Sequence, residues 1–168
     1  MDYAEVVSWW QKKNIDTRAK LELMLDNYRI LFAYNSGKIE NDDIDYHDTR
    51  EIFTNGRVAG FTGDLRAVFE QRNQRTCYYY LLDKIIAREP ISPELIKDIH
   101  AILTAGTYDE RTYIDNAERP GAYKKHDYVV GLSDVGYAPG EVAEGIEALL
   151  GVTLTAFGRI IKSPQPFN

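Results

Sequence analysis

Apolar side chains recur at helical spacing along residues 64 to 88, and a stripe of this length limits the chain to folds built around helices. Cys77, Leu81 and Ile85 stand four residues apart on one face of such a helix. Glu89-Pro90 ends the pattern, because proline cannot continue a helix. The sequence therefore predicts a long helix that has to bury one face against other elements.

The same period predicts further helices on both sides of this one. Capping residues mark their starts, as where Ser92 precedes Pro93 at a first helical position. Asn35-Ser36-Gly37 is predicted to break the helical pattern, and no clear period follows Gly151. The predicted helices are residues 16 to 35 with Asp16 or Thr17 as the cap, a shorter helix with Trp9 and Trp10, Thr49 to Phe53 closed by Asn55-Gly56, Ser92 to Leu103, and Val142 to Leu150.

One segment between the helices has strand character instead. The helical period is absent between residues 107 and 139, and Tyr128, Val129 and Val130 are residue types that favour strands. A small hairpin is therefore predicted within residues 123 to 132. The predicted fold class is mainly α, a single domain of helices with one small β-hairpin.

Charge and cysteine content restrict the partners and the compartment. The formal net charge is −6, and no run of Lys or Arg could follow a phosphate backbone, so nucleic acid is not expected as a partner. The single cysteine, Cys77, is expected to be a buried residue in a reducing compartment. No apolar run reaches the ~18 residues that a membrane span needs. We therefore expect a soluble, cytoplasmic protein with no membrane partner.

The common catalytic arrangements and metal sites are missing from the sequence. Its three histidines, His47, His100 and His126, have no metal-ligand spacing with another His or Cys. No Walker phosphate loop, GxGxxG or nucleophile elbow is present. The acidic residues 40 to 45 are typical of a solvated turn, and His100 of a satisfied residue at the edge of a core. No metal site is predicted.

The hexapeptide Ser36-Gly37-Lys38-Ile39-Glu40-Asn41 has a spacing that helix capping does not explain. Ser36 and Glu40 are four residues apart and share a helix face, whereas a capping box places the Glu three residues after the Ser. Taken alone, such a pair is common and carries no function. The surrounding residues are what make it informative.

This hexapeptide resembles the inhibitory motif Ser/Thr-x-x-x-Glu-Gly/Asn of Fic-domain proteins, in the subgroup that carries the motif N-terminal to the Fic core. The family transfers AMP from ATP onto protein hydroxyls. Together the similar segments span residues 17 to 150 and follow the family's order. They are Thr49-Arg50-Glu51-Ile52, Phe69-Glu70-x-x-Asn73, Ser92 to Leu103 with Ile99-His100, and Pro120-Gly121-Ala122-Tyr123-Lys124.

The resemblance implies roles for two sets of residues. Glu40 would pair with an arginine of the catalytic motif that otherwise binds the ATP γ-phosphate, and Ser36 and Asn41 would position its helix. Residues 121 to 130 would be the hairpin flap on which such enzymes align a target backbone as an added strand. The flap residues are Gly121, Tyr123, Lys124, Tyr128, Val129 and Val130, and Lys124 departs from the arginine often found there.

The family's catalytic motif, His-Pro-Phe-x-Asp/Glu-Gly-Asn-Gly-Arg-x-x-Arg, does not occur in this sequence. Pro166-Phe167-Asn168 echoes its start, but Gln165 stands where the His would be. The resemblance therefore implies a Fic-like helical domain that is incomplete at the C-terminus and inactive alone, whereas an intact relative would use ATP and Mg²⁺ and act on a target protein hydroxyl. We expect residues from about Val152 onward to be a frameshifted or miscalled tail.

Three interpretations remain open for such a chain. It is the N-terminal portion of an autoinhibited AMP transferase, an antitoxin-like module that inhibits a complete Fic protein in trans, or a non-catalytic helical interaction domain. The expected division is residues 1 to 60 with the inhibitory motif, 61 to 150 as a partial Fic core, and 151 to 168 as an off-pattern tail, in one cooperative unit. We expect Glu40 to face a groove lined by the 64 to 88 and 92 to 103 helices, and exposed apolar faces to favour self-association.

Overall fold

The computed structural model describes residues 2 to 40, 42 to 128 and 136 to 162, without the side chains of Tyr3, Glu40 and residues 154 to 162. The protein is mainly helical. Two short helical turns, a π-helix at Arg111–Asp115 and a 3-10 turn at Pro139–Glu141, accompany the α-helices. The α-helices are α1 Tyr3–Lys12, α2 Arg18–Glu40, α3 Tyr46–Asn55, α4 Leu65–Ile86, α5 Pro93–Leu103 and α6 Val142–Lys162.

Helix starts follow the capping residues that the sequence predicts. The Asp64 side chain accepts a hydrogen bond from the Arg66 amide at 2.8 Å, and the Ser92 hydroxyl accepts one from the Leu95 amide at 3.1 Å. Gly56 ends α3 with φ at 75°, a conformation that costs glycine little. These boundaries are confirmed because a cap depends only on residues within one turn of it.

The predicted break at Gly37 is wrong, because α2 continues through it to Glu40. Gly37 is buried against α4, where an added Cβ would overlap the amide nitrogen of Gln71. That nitrogen donates to the Ala33 carbonyl at 3.1 Å. Glycine is therefore present here to let two helices approach closely and does not end the helix.

α2, α4 and α5 run alternately up and down. The start of α2 meets the end of α4 where Arg18 Nη1 lies 2.8 Å from Asp83 Oδ1. The end of α5 meets the middle of α4 where Asn73 Nδ2 donates to the carbonyl oxygens of Leu103 and Ala105, at 3.0 and 2.8 Å. α3 packs across α2 and α4. The apolar core at this contact consists of Ile44, Ile52 and Ala67, with Val58, Phe61 and Val68 packed around them.

The predicted hairpin is not found in the described part of the chain. Residues 123 to 128 are irregular, and Val129, Val130 and the rest of the segment to Leu132 lie outside the described residues. Two hydrogen bonds to Glu118, from the Lys125 amide and the Tyr128 hydroxyl, hold the first part of the segment in a loop. In a hairpin the backbone amide of Lys125 would pair with the facing strand or with solvent and not with a side-chain carboxylate.

α6 is longer than the sequence predicts, since it continues past Leu150 to Lys162. Residues 151 to 163 contain no proline, the residue that most strongly ends a helix. Among the described helices, this one included, none is both long and apolar enough to cross a bilayer.

The close approach at Gly37 gives a test of the α2–α4 contact. Alanine in a helix interior is normally about 1 kcal/mol better than glycine. In Gly37→Ala we expect the overlap with Gln71 to outweigh this gain, for a net loss of about 1 to 3 kcal/mol in the free energy of unfolding. Urea unfolding followed by circular dichroism measures the change. The control is Gly140→Ala, where an added Cβ meets nothing within 4 Å, and an equal loss in both variants would contradict the packing argument.

Candidate functional site

An apolar groove with a cavity volume of about 420 Å³ lies between α2, α4 and α5. Phe32 and Tyr28 on its rim are 65% and 68% exposed, which is unusual for large aromatic side chains on a helix that also faces a core. The groove has the apolar walls that an amphipathic helix of a partner would need. Its lining comprises Leu25, Tyr28, Arg29, Phe32, Ala33, Phe53, Gln74, Cys77, Tyr78, Leu81, Ile99 and Leu103.

Two polar side chains in this wall carry buried atoms without a hydrogen-bond partner in the described part of the structure. They are the Nε of Arg29 and the hydroxyl of Tyr78. The rest of the Arg29 guanidinium is held by Asp26 at 2.9 Å and by the Tyr79 hydroxyl at 3.3 Å. Burial raises the pKa of Tyr78 and also that of Cys77, so the groove surrounds these groups with a poorly hydrated environment.

The predicted inhibitory motif forms the last turn of α2. Ser36 and Lys38 are half-buried, Ile39 is 83% exposed, and Lys38 Nζ donates to the Asp42 carbonyl at 2.7 Å. Glu40 follows Ala33 by seven residues, which places it on the same helix face about 10 Å further along the axis. Asn41 and the Glu40 side chain lie outside the described part, so the predicted orientation of that carboxylate stays a prediction.

The acidic turn after α2 is used to start the next two helices. Asp43 accepts a hydrogen bond from the Asp64 amide at 3.0 Å, immediately before α4. Asp45 and Asp48 form the capping box of α3, and with His47 they bring three metal-ligand atoms within 4.8 Å of one another. Capping accounts for both carboxylates, so we assign no metal-binding role to this exposed group.

Glu118 organises the segment that follows it, residues 118 to 128. Its side chain is only 6% exposed and accepts hydrogen bonds at 2.8 Å from both the Lys125 amide and the Tyr128 hydroxyl, with His126 Nδ1 at 3.3 Å. Burial by itself raises the pKa of Glu118, but these hydrogen bonds together outweigh burial and hold its pKa below the ordinary value. The segment is thus folded around an ionised carboxylate.

The flap residues predicted from the sequence meet α5 at this segment. Gly121 has φ at 78°, and an added Cβ would lie 2.9 Å from the Ala101 Cβ. Lys97 Nζ lies 4.5 Å above the ring of Tyr123. Lys124 and Tyr128 line a polar cavity of about 390 Å³ together with Arg66, His100, Thr107, Tyr108, Asp109, Thr112, Glu118 and Ala122.

The two regions that the sequence singles out lie at the same end of α4. The turn after the inhibitory motif reaches the start of α4 through Asp43 and Asp64. Arg66, in the first turn of α4, lines the polar cavity with Glu118 and Lys124. Segments about 80 residues apart in the sequence therefore come to one end of the helix bundle.

The chain has no significant match among protein-family models, curated proteins or solved structures. The resemblance to Fic proteins thus rests on the motif residues themselves, and it enters below as a proposal.

Three structural residues of the site gave little signal in the sequence. Gln71 fixes the spacing of α2 and α4, Glu118 fixes the loop, and Asn73 ties α4 to the end of α5. Only Asn73 is a specified position of the family resemblance, since Gln71 falls on an unspecified position of the same segment. The one sign in the sequence that Gln71 has a structural role is that this polar residue occupies a core position of the apolar stripe of α4.

The buried carboxylate of Glu118 gives a pH-dependent prediction. Because the folded-state pKa lies below that of the unfolded chain, ionised Glu118 stabilises the fold above the unfolded value of about 4.3, and this contribution is lost as pH falls through the folded-state pKa. In an NMR titration we expect the Lys125 amide shift to change with a midpoint below about 4.3. The change should disappear in Glu118→Gln and persist in Glu110→Gln. A midpoint above that value would contradict the hydrogen-bond geometry.

Proposed function

We propose that this chain is the N-terminal, regulatory and target-docking portion of a Fic-family protein adenylyltransferase. The observation that carries the proposal is the apolar groove between α2, α4 and α5, which leaves exposed aromatic side chains along a helix bundle that ends in the motif-like turn. A further helix laid in that groove would complete an apolar core. In the family, the helix of the catalytic motif has that central position.

Regulation is assigned to Glu40. A helix in the groove would follow α2, and Glu40 ends α2 beyond the groove lining. A carboxylate there can form a bidentate pair with an arginine of the incoming motif, and an arginine held in this way cannot bind a nucleotide phosphate. Ser36, four residues before Glu40 in α2, and Asn41, the next residue in the sequence, are assigned the role of fixing its position.

Target docking is assigned to the segment that begins at Gly121. Gly121 joins this segment to α5 through His100, Glu118 holds the loop itself together, and Lys124 and Tyr128 line the polar cavity beside it. An extended target backbone could pair with the residues that follow, Val129 and Val130. The substrate class is a protein hydroxyl.

None of the chemistry of AMP transfer is assigned to this chain. Its sequence contains no His-Pro pair, so the family's general base, its Mg²⁺ carboxylate and its phosphate-binding arginines are missing together. The residues present therefore do not form an ATP and Mg²⁺ site, and no step is derived through those groups. The chain contributes binding, inhibition and positioning.

An antitoxin-like module is the second candidate, because an open groove can also accept a helix from another polypeptide. In that case a complete Fic protein would bind and lose activity, with Glu40 acting in trans. A helical interaction domain unrelated to AMP transfer would bind helices without any effect of Glu40. The experiments below separate the three.

Reconstitution tests the proposed function. The full chain with labelled ATP, Mg²⁺ and a cell lysate should give no protein labelling, because the transferring groups are absent. Adding a second polypeptide with the family's catalytic loop and helix should restore weak labelling. Glu40→Gly should then raise labelling about ten- to hundredfold, the effect of losing one charge-assisted pair.

The control for this substitution is Ile39→Gly, which puts glycine in the same helical turn and should leave labelling unchanged. Labelling by the chain alone would contradict the assignment of roles. Inhibition of an intact Fic protein, relieved by Glu40→Gly, would favour the module that acts in trans.

The groove itself is tested by Phe32→Ser. Phe32 lines the groove but is mostly exposed, so its loss should weaken binding of the added polypeptide about tenfold or more and change the stability of the chain little. Isothermal titration calorimetry measures the affinity. Leu23→Ser is the matched control, since Leu23 is 80% exposed on the same helix outside the groove lining. Equal affinities for the two variants would remove the groove as the binding surface.

A further inference from the structure

His100 lies between α5 and the segment 118 to 128 and contacts the backbone of that segment directly. Its Nδ1 is 3.0 Å from the Gly121 amide nitrogen, and its Nε2 is 3.4 Å from the Tyr108 hydroxyl oxygen. The imidazole is half-buried. One side chain thus joins α5 to two separate parts of the connection between α5 and α6.

The contact with Gly121 defines the state of the imidazole. An amide N–H can only donate, so Nδ1 has to accept and cannot carry a proton. The proton of a neutral His100 is then on Nε2, and this N–H donates a hydrogen bond to the Tyr108 hydroxyl oxygen. A protonated imidazole carries hydrogens on both nitrogens and cannot accept from Gly121.

The position of Gly121 against α5 leaves little room for a side chain. Its φ of 78° is strained for residues with a side chain, and an added Cβ would lie 3.1 Å from the Lys97 carbonyl oxygen as well as close to Ala101. The backbone of the segment therefore packs directly on the α5 backbone. The His100 acceptor satisfies the amide that this packing would otherwise bury unpaired.

Charged groups of both signs surround His100. Arg66 is paired with Glu70 at 2.8 Å and Lys124 with Asp127 at 3.5 Å, so loss of the hydrogen bond, and not a surplus of positive charge, is what a proton on the imidazole would bring. Arg66 faces it from α4, Lys97 lies on α5, Asp109 belongs to the turn after α5, and Glu118 and Lys124 belong to the segment. Tyrosines 108, 123, 128 and 137 complete the surroundings, and this residue type titrates near pH 10.

We propose that His100 is a positioning residue that holds the segment from Gly121 onward against α5 when its imidazole is neutral and releases it when the imidazole is protonated. The contact between His100 and Gly121 follows from the geometry alone, whereas the docking of a target by this segment rests on the proposed function. Target docking would then be favoured by the neutral imidazole and weakened by the protonated one.

NMR of the unmodified full chain tests this inference without relying on any variant. At pH 8 the ring nitrogen shifts of His100 should show the tautomer with the proton on Nε2. The protection factor of the Gly121 amide, corrected for the pH dependence of intrinsic exchange, should fall about tenfold or more as His100 takes up its proton. The opposite tautomer, or a protection factor that stays constant through the His100 titration, would overturn the proposal.

Two variants separate positioning from general stability. In His100→Asn the side-chain oxygen takes the place of Nδ1 as acceptor, so Gly121 should stay protected with no dependence on pH between 5 and 8. In His47→Asn, at an exposed position of α3, the pH dependence should be that of the unmodified chain. Loss of the pH dependence in both variants would contradict the assignment to His100.

The inference and the proposed function can fail independently. If reconstitution gives no labelling while the Gly121 protection factor follows the His100 titration, His100 does hold the segment and the proposed function is wrong. If labelling is restored but has the same pH profile in His100→Asn as in the unmodified chain, the proposed function stands and the His100–Gly121 hydrogen bond does not control docking.

Discussion

The close approach of α2 and α4 at Gly37 is the contact on which the rest of the bundle depends. Ala33 and Gly37 are small residues four apart on one face of α2, and the end of the Gln71 side chain occupies the space that a Cβ on Gly37 would fill. The Gln71 amide then donates to the Ala33 carbonyl inside the interface. A larger residue at either position would move the helices apart, and the core formed by Ile44 and Ala67 would open.

The groove follows from the same contact. The helices meet closely at Gly37, whereas residues 25 to 32 of α2 and 74 to 81 of α4 contribute large side chains to the walls of the groove. Because α5 has only eleven residues, it covers part of that surface and leaves Tyr28 and Phe32 exposed. A bundle built in this way buries its apolar area fully only when another helix lies beside α5.

Local features of the chain could be predicted from the sequence, and features that depend on distant residues could not. The starts of α4 and α5 follow from Asp64 and Ser92, because a cap acts within its own turn. The role of Gly37 depends on Gln71, which is 34 residues away, so the glycine was interpreted as a helix break.

The candidate site divides along the same line. The role of the Ser36 to Asn41 segment stays a prediction, but Glu40 was expected on a helix, and the end of α2 has it there. The loop at residues 118 to 128 could not be anticipated, because β-forming residues there indicated a strand. A single buried carboxylate decides the conformation of the first part of that segment, and hydrogen bonds to one side chain leave no period in the sequence.

The position of the two segments at one end of α4 limits how they could influence each other. The turn after α2 is tied to the α4 backbone through Asp43, while the segment at Gly121 is tied to α5 through His100. These are different hydrogen bonds on different helices, so release of one segment leaves the anchor of the other intact. α4 and α5 are themselves joined by Asn73, and Arg66 in the first turn of α4 lines the polar cavity with His100 and Glu118, so the two segments also adjoin through that cavity. Under the proposed function, inhibition through Glu40 would respond to occupation of the groove and docking through Gly121 to protonation of His100.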